Sequence, residues 1–236
     1  MRLVAGVVLA GALTTCLTSV LTAQIAGSPG AAQIEARPVV SFQFDRAGLP
    51  VPRYSLRVRE DGTGNYQADV EAGVASNGST PVEADKHVER TFTLTAETTA
   101  KIFRTARGLN HFNVACASKA KNIANTGAKT LSYAGSDGSG SCAYNYSENK
   151  GVALLTNIFL GVAFTLDEGR RLDFLHRYDR LGLDAETTSL AREVESGHAL
   201  ELGTIAPTLT AIVDDTALMQ RVRLRAAKML EQANAK

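Results

Sequence analysis

The sequence predicts an α+β protein: an antiparallel sheet of hairpins in the N-terminal half, packed by a mainly helical C-terminal half. Three observations carry this expectation. Period-two runs joined by Asp-Gly recur before residue 150. Helical spacing with acidic first turns and glycine stops takes over after it. Between them, "GVALLTNIFLGVAF" (151–164) is apolar on all sides, so it needs cover all round. Half-buried hairpins need something on their apolar face, and the two requirements answer each other in one domain over 38–236.

The chain begins "MRLVAGVVLAGALTTCLTSVLTAQ", with Arg2, an apolar run from Leu3 and small residues ending at Ala23. That is the layout of a secretory signal peptide over 1–23. A retained membrane anchor is the competing reading, because the run approaches spanning length. Its threonines and the lack of a positive charge on the far side favour cleavage. Lipidation at Cys16 is a further alternative, although Thr15 stands where a lipobox carries a smaller residue. Residues 24–37, small and polar with Pro and Gly, read as a flexible leader.

"PVVSFQFD" (38–45) has the β-branched and aromatic content of a strand. In 53–59 Tyr54, Leu56 and Val58 alternate with polar residues, and after "DGTG" Tyr66, Ala68 and Val70 do the same. This hairpin has one buried face and one wet face, and Arg57 and Arg59 fall on the wet one. A functional anion site there is the sharper alternative to a merely solvated face. Residues 71–87 lack periodicity and concentrate Gly, Ser, Asn and Pro, so they form a long exposed loop and a candidate partner-binding surface. "VERTFTL" (88–94) returns to strand. Thr95 caps a helix whose face carries Ala100, Ile102, Phe103 and Ala106, with Gly108 as the stop.

Residues 109–127 are irregular. The runs 128–135 and 141–147 make a second hairpin, with Asp137-Gly138 and its neighbours supplying the turn. A second helix is expected over 167–182, where Leu172, Leu175, Tyr178 and Leu181 recur at spacings of three. A third is expected over 183–197, with Asp184 as cap and Gly197 as stop. A short proline-started helix follows at 206–213. Asp214 or Asp215 caps the last helix, whose face carries Leu218, Val222, Ala226, Met229 and Leu230.

Composition narrows function by exclusion. The net charge is +1, and loss of 1–23 removes Arg2 alone among charged residues and leaves a formally neutral chain. Neutrality gives no pull toward nucleic acid, and membrane contact is expected only through an uncleaved or lipidated N-terminus. Tryptophan is absent, which counts against a base- or sugar-stacking surface. Once Cys16 is gone, Cys116 and Cys142 remain, an even pair that an oxidising compartment would bridge. Unpaired thiols and a redox role for Cys142 are the alternatives.

"GSDGSGSCAY" (135–144) tests poorly as a catalytic loop. It lacks the Walker lysine, the dinucleotide glycine order and the G-x-S-x-G frame. The histidines at 87, 111, 176 and 198 show no metal-ligand spacing, so neither metal nor cofactor is expected. The pair Asp214-Asp215 fits a helix cap better than a glycosidase acid/base pair. Asn77 and Asn145 head glycosylation acceptor patterns, relevant only in a host that uses them.

Two stretches resemble known types. "DGTGNYQADV…RTFTLTAETTAKIFRTARGLNHF", within 53–112, resembles small exported bacterial domains of unknown function, in which a "DG" turn, a short strand and an "LT"-capped helix follow one another. That resemblance implies an envelope or extracellular location without a known activity. "IAPTLTAIVDDTALMQRVRLRAAKML" (205–230) is similar to one HEAT-type helical repeat, with extra residues between Asp214 and Val222. A lone repeat cannot bury its own face, so here it is a helical pair packed on the domain, and the similarity implies a protein-contact surface.

The expected function is a non-enzymatic interaction or accessory protein of the bacterial envelope or extracellular space, with an unidentified protein partner. The alternative is an exported hydrolase whose site assembles in space from His111, His176, Asp179 and Asp137.

Overall fold

The computed structural model describes residues 37–71 and 86–234. The expected signal peptide over 1–23 with Cys16, most of the expected leader, Asn77 and residues 72–85 of the expected loop lie outside the described residues. The architecture is α+β: one six-stranded antiparallel sheet, then a helical C-terminal part.

The strands are β1 (Val39–Asp45), β2 (Arg53–Arg59), β3 (Thr63–Val70), β4 (Lys86–Thr93), β5 (Ala128–Gly135) and β6 (Gly138–Tyr144). Their order is β4-β3-β2-β1-β5-β6. The first four form a meander, and β5 returns to pair with the free edge of β1, Phe42 opposite Leu131. Alternation puts Val40, Phe42, Leu56, Val58, Tyr66, Leu131 and Tyr133 on one face, each at most 2 % exposed. That face is covered by α1 (Ala96–Gly108) and by the first half of α2 (Lys150–Tyr178). Phe42 stacks on Phe159 of α2 at 5.3 Å, and Phe103 of α1 meets Tyr133 edge-on at 6.2 Å.

Where the sequence predicts two helices, over 151–164 and 167–182, α2 runs unbroken for 29 residues. Nothing between 164 and 167 interrupts it: Thr165 donates its hydroxyl to the Gly161 carbonyl within the helix. Asp167 and Glu168, which look like first-turn acids, are interior and pair with Arg170 and Arg171. Length and composition alone would let α2 cross a membrane, but 61 % of its apolar window is buried in the fold. It is the core spine, joining the sheet's core up to Leu166 to a second core that begins at Leu172. The second core comprises α3 (Gly182–Glu195), α4 (Ala206–Asp214) and α5 (Gln220–Asn234). Val222, Ala226 and Met229 form the buried face of α5, with Leu218 just ahead of it.

Two caps differ from expectation. Asp184 lies inside α3 rather than before it, and its carboxylate binds Arg221 and Arg225 of α5. Neither Asp214 nor Asp215 caps α5, which starts at Gln220; Asp214 ends α4, and Asp215 accepts from the Ala217 amide. Thr95 does cap α1, and a residue far along the chain completes that cap. Glu201, in the left-handed region at φ 57°, accepts from the Thr95 amide and hydroxyl at 2.8 Å each. A carboxylate at a helix N-terminus is favourable, and this one ties the helical part to α1.

Candidate functional site

The four residues of the hydrolase reading fall into three places. His111 and Asp137 approach each other, Nε2 to Oδ2 at 3.8 Å. His176 binds Asp215 at 2.8 Å, on the helical side. Asp179 accepts from the Gly182 amide at 3.1 Å and shapes the α2–α3 turn.

Asp137 is held from several sides. It accepts from Arg107 Nε at 2.7 Å and from the Tyr133 hydroxyl at 2.7 and 2.8 Å. These bonds, Arg107 first, hold its carboxyl down to about 2, while burial pushes the Tyr133 hydroxyl up to about 12. Arg107 also donates to Glu60 at 2.7 Å, linking the two hairpin turns through α1.

Within the expected turn region the two turn residues are Ser136-Asp137, because Gly135 and Gly138 already pair. The glycines of "GSDGSGSCAY" serve close approach. A Cβ on Gly140 would lie 2.4 Å from the His111 carbonyl oxygen, and one on Gly138 would lie 2.5 Å from the His111 ring. Residues 110–112 lie against this part of β6, all three in the left-handed region with φ of 50°, 56° and 68°. Such backbone costs free energy and persists only when packing fixes it. Here the fixing comes from Phe112, fully buried, and from Asn113, which donates to the Ser139 carbonyl at 2.8 Å.

Cys116 and Cys142 are joined, with Cα atoms 5.8 Å apart. The bridge anchors the irregular segment to β6 and is compatible with an oxidising compartment. Beside it stands a group that sequence reading missed, Lys129, 5 % exposed. Its ammonium donates to the carbonyls of Thr126, Gly127 and Asn145 and to the Thr126 hydroxyl, at 2.8–3.0 Å. Burial lowers its pKa. In sequence Lys129 resembles a solvated strand residue; only its phase with Leu131 and Tyr133 points it inward. Asn145, head of an acceptor pattern, has its amide nitrogen engaged by the Ala124 carbonyl at 2.8 Å.

The sheet's other face is open. No described helix packs on it, and its strand side chains are Ser, Thr, Asn, Gln, Arg, His87, a few acids, Val39 and alanines, with no Phe or Tyr among them in the described residues. Cross-strand register arranges them in rows. One row runs His87, Asp69, Arg53, Asp45 across β4 to β1, alternating in charge. In it Asp69 binds His87 Nδ1 at 3.0 Å and Arg53 Nε at 3.1 Å, and both hold its carboxyl below the usual range. A cleft of about 310 Å³ surrounds this row. The sequence alone could not place His87 opposite Asp69, because 18 positions separate them and the run between lacks periodicity.

Two rows away, Thr91, Asn65, Arg57, Ser41, Ser132 and Ser141 line up, with Arg59 in the next row. A shallow cleft of about 280 Å³ lies over Arg57, Arg59, Val39, Asn65, Gln67 and Glu89. Glu89 accepts from Asn65 at 2.7 Å and from Gln67 at 3.4 Å, which lowers its pKa. The nearest turn acids are taken elsewhere: Glu60 by Arg107 and Asp61 by Arg37 at 2.6 Å. Among the described residues Arg57 and Arg59 therefore have no carboxylate, and Arg59 has only a long 3.5 Å bond to the Thr63 hydroxyl. Both are exposed, as the alternation predicts.

A third cleft, about 590 Å³, lies between Glu60-Asp61 and α1 over an apolar floor that includes Leu94 and Phe103. His111, Asp137, His176 and Asp179 line none of these clefts. Among the described residues no cluster of three or more His, Cys, Asp or Glu side chains is disposed to hold a metal ion. No protein-family model matches the chain, and no curated protein matches it.

Proposed function

We propose that this is an exported, non-enzymatic interaction or accessory protein of the bacterial envelope or extracellular space, and that it presents the open face of its sheet to a protein partner. The observation that carries the reading is the asymmetry of that sheet. One face is buried under α1 and α2, while the other is a polar grid with two arginines that no carboxylate among the described residues reaches. Export is supported by the leader over 1–23 and by the Cys116–Cys142 bridge. The candidate acid and base groups are engaged in holding the fold together: Asp137 by Arg107 and Tyr133, Asp179 by the α2–α3 turn.

The test is site-specific photo-cross-linking in cells that export the protein. A photoreactive residue at Ser132, on the open face, should give a discrete cross-linked species. The same residue at Arg192, exposed on α3, should give none. Cross-linking from Arg192 equal to that from Ser132 would contradict the reading. The hydrolase alternative keeps one favourable observation, the approach of His111 to Asp137. Hydrolysis of model esters or peptides that disappears in His111→Ala would put that reading first.

A further inference from the structure

We infer that Arg57 and Arg59 form an acid-recognition subsite that takes an extended segment of the partner protein bearing Asp or Glu at alternate positions. The inference rests on the proposed interaction role and names the chemistry of its contact. Residues two apart on a strand stand about 6.6–6.8 Å apart on one face. An extended peptide lying along β2 repeats its own alternate side chains at that spacing. Its carboxylates can therefore meet both guanidiniums together, each by a bidentate pair.

Charge complementarity favours this occupant. The cleft over the two arginines is otherwise lined by Val39, Asn65, Gln67 and Glu89; Ser41 and Asn65 flank Arg57 in register, and Arg59 donates to the Thr63 hydroxyl. Among the described residues one acid lines it, Glu89, whose carboxylate accepts from Asn65 and Gln67 and reaches neither guanidinium. A polyanionic glycan would meet the same charges, but among the described residues no aromatic ring lines the cleft over the arginines to stack a sugar. Hydroxyls and amides beside the arginines match peptide groups instead.

The experiment uses the purified exported chain and two fluorescent probes, a poly-glutamate peptide and chondroitin sulfate, titrated at low and at physiological salt. Wild type should bind the peptide, more weakly as salt rises. The double variant R57Q/R59Q should lose at least about tenfold in affinity, equivalent to about 1.4 kcal/mol. The double variant R177Q/R192Q removes the same charge from exposed helix positions and should stay within about twofold of wild type, a change below about 0.5 kcal/mol. Equal loss in both double variants would overturn the inference, since net charge would then explain binding. No peptide binding at low salt would overturn it as well. Chondroitin sulfate bound through Arg57 and Arg59 in place of the peptide would assign the subsite to a glycan. Cross-linking from Ser132 that persists in R57Q/R59Q would leave the interaction role standing while removing this subsite from it.

Discussion

Lys129 on β5 and Arg57 on β2 are cations of one sheet that point to opposite faces. Lys129 is buried on the covered face, and four oxygen acceptors surround its ammonium. Arg57 stands in solvent, and among the described residues no carboxylate reaches it. A cation buried without partners would cost several kcal/mol, so the covered face tolerates one only with its hydrogen bonds complete. The open face pays no such penalty, and its free donors remain available to a ligand. The contrast separates residues that hold the fold from residues that can bind.

Substitutions can break or sharpen that contrast. The largest effect belongs to the covered face: Phe42→Ala removes a fully buried ring stacked on Phe159 and should cost about 3–5 kcal/mol in chemical denaturation. Opening the Cys116–Cys142 bridge with Cys142→Ala and Cys116→Ala together should cost about 3–4 kcal/mol, from the loop entropy it returns to the unfolded chain. Lys129→Met keeps most of the volume but leaves the carbonyls of Thr126, Gly127 and Asn145 without this donor, a loss of about 1–3 kcal/mol by the same measurement.

Glu168 tests the same principle for an acid. Its Oε2 is buried and accepts from no donor, and burial, then the neighbouring Glu186 carboxyl, raises its pKa to about 8. Arg171 opposes the rise, and Asp167 adds to it. The folded state thus binds a proton more tightly than the unfolded chain. This contribution to stability is full below the ordinary carboxylate range and falls away as pH rises toward about 8. Glu168→Gln should flatten that decline in melting temperature across the same interval; an unchanged slope would place the titration elsewhere. The smallest effect belongs to the open face, where Arg57→Gln and Arg59→Gln should each change stability by less than about 0.5 kcal/mol.

Much of the fold was legible because its signals are local. Tyr54, Leu56 and Val58 against Tyr66, Ala68 and Val70 announce both the hairpin and its buried face, and Thr95 announces α1. The join within α2 was not legible, because Asp167 and Glu168 look like a helix start. Their arginine partners at 170 and 171 serve an interior turn equally well. Glu201 as a cap for α1 could not be read, since it acts across more than a hundred residues. The candidate surface was half legible. Alternation put Arg57 and Arg59 outside, but their lack of carboxylates follows from Arg107 and Arg37 taking Glu60 and Asp61, which is a tertiary fact.

The central claim is that Arg57 and Arg59 on the open face serve binding rather than folding. The most direct measurement combines two readouts on R57Q/R59Q: the denaturation midpoint of the purified chain, and the cross-linked yield from a photoreactive residue at Ser132 in cells. The account predicts an unchanged midpoint with the cross-link lost. An unchanged midpoint with the cross-link at its wild-type yield would contradict it.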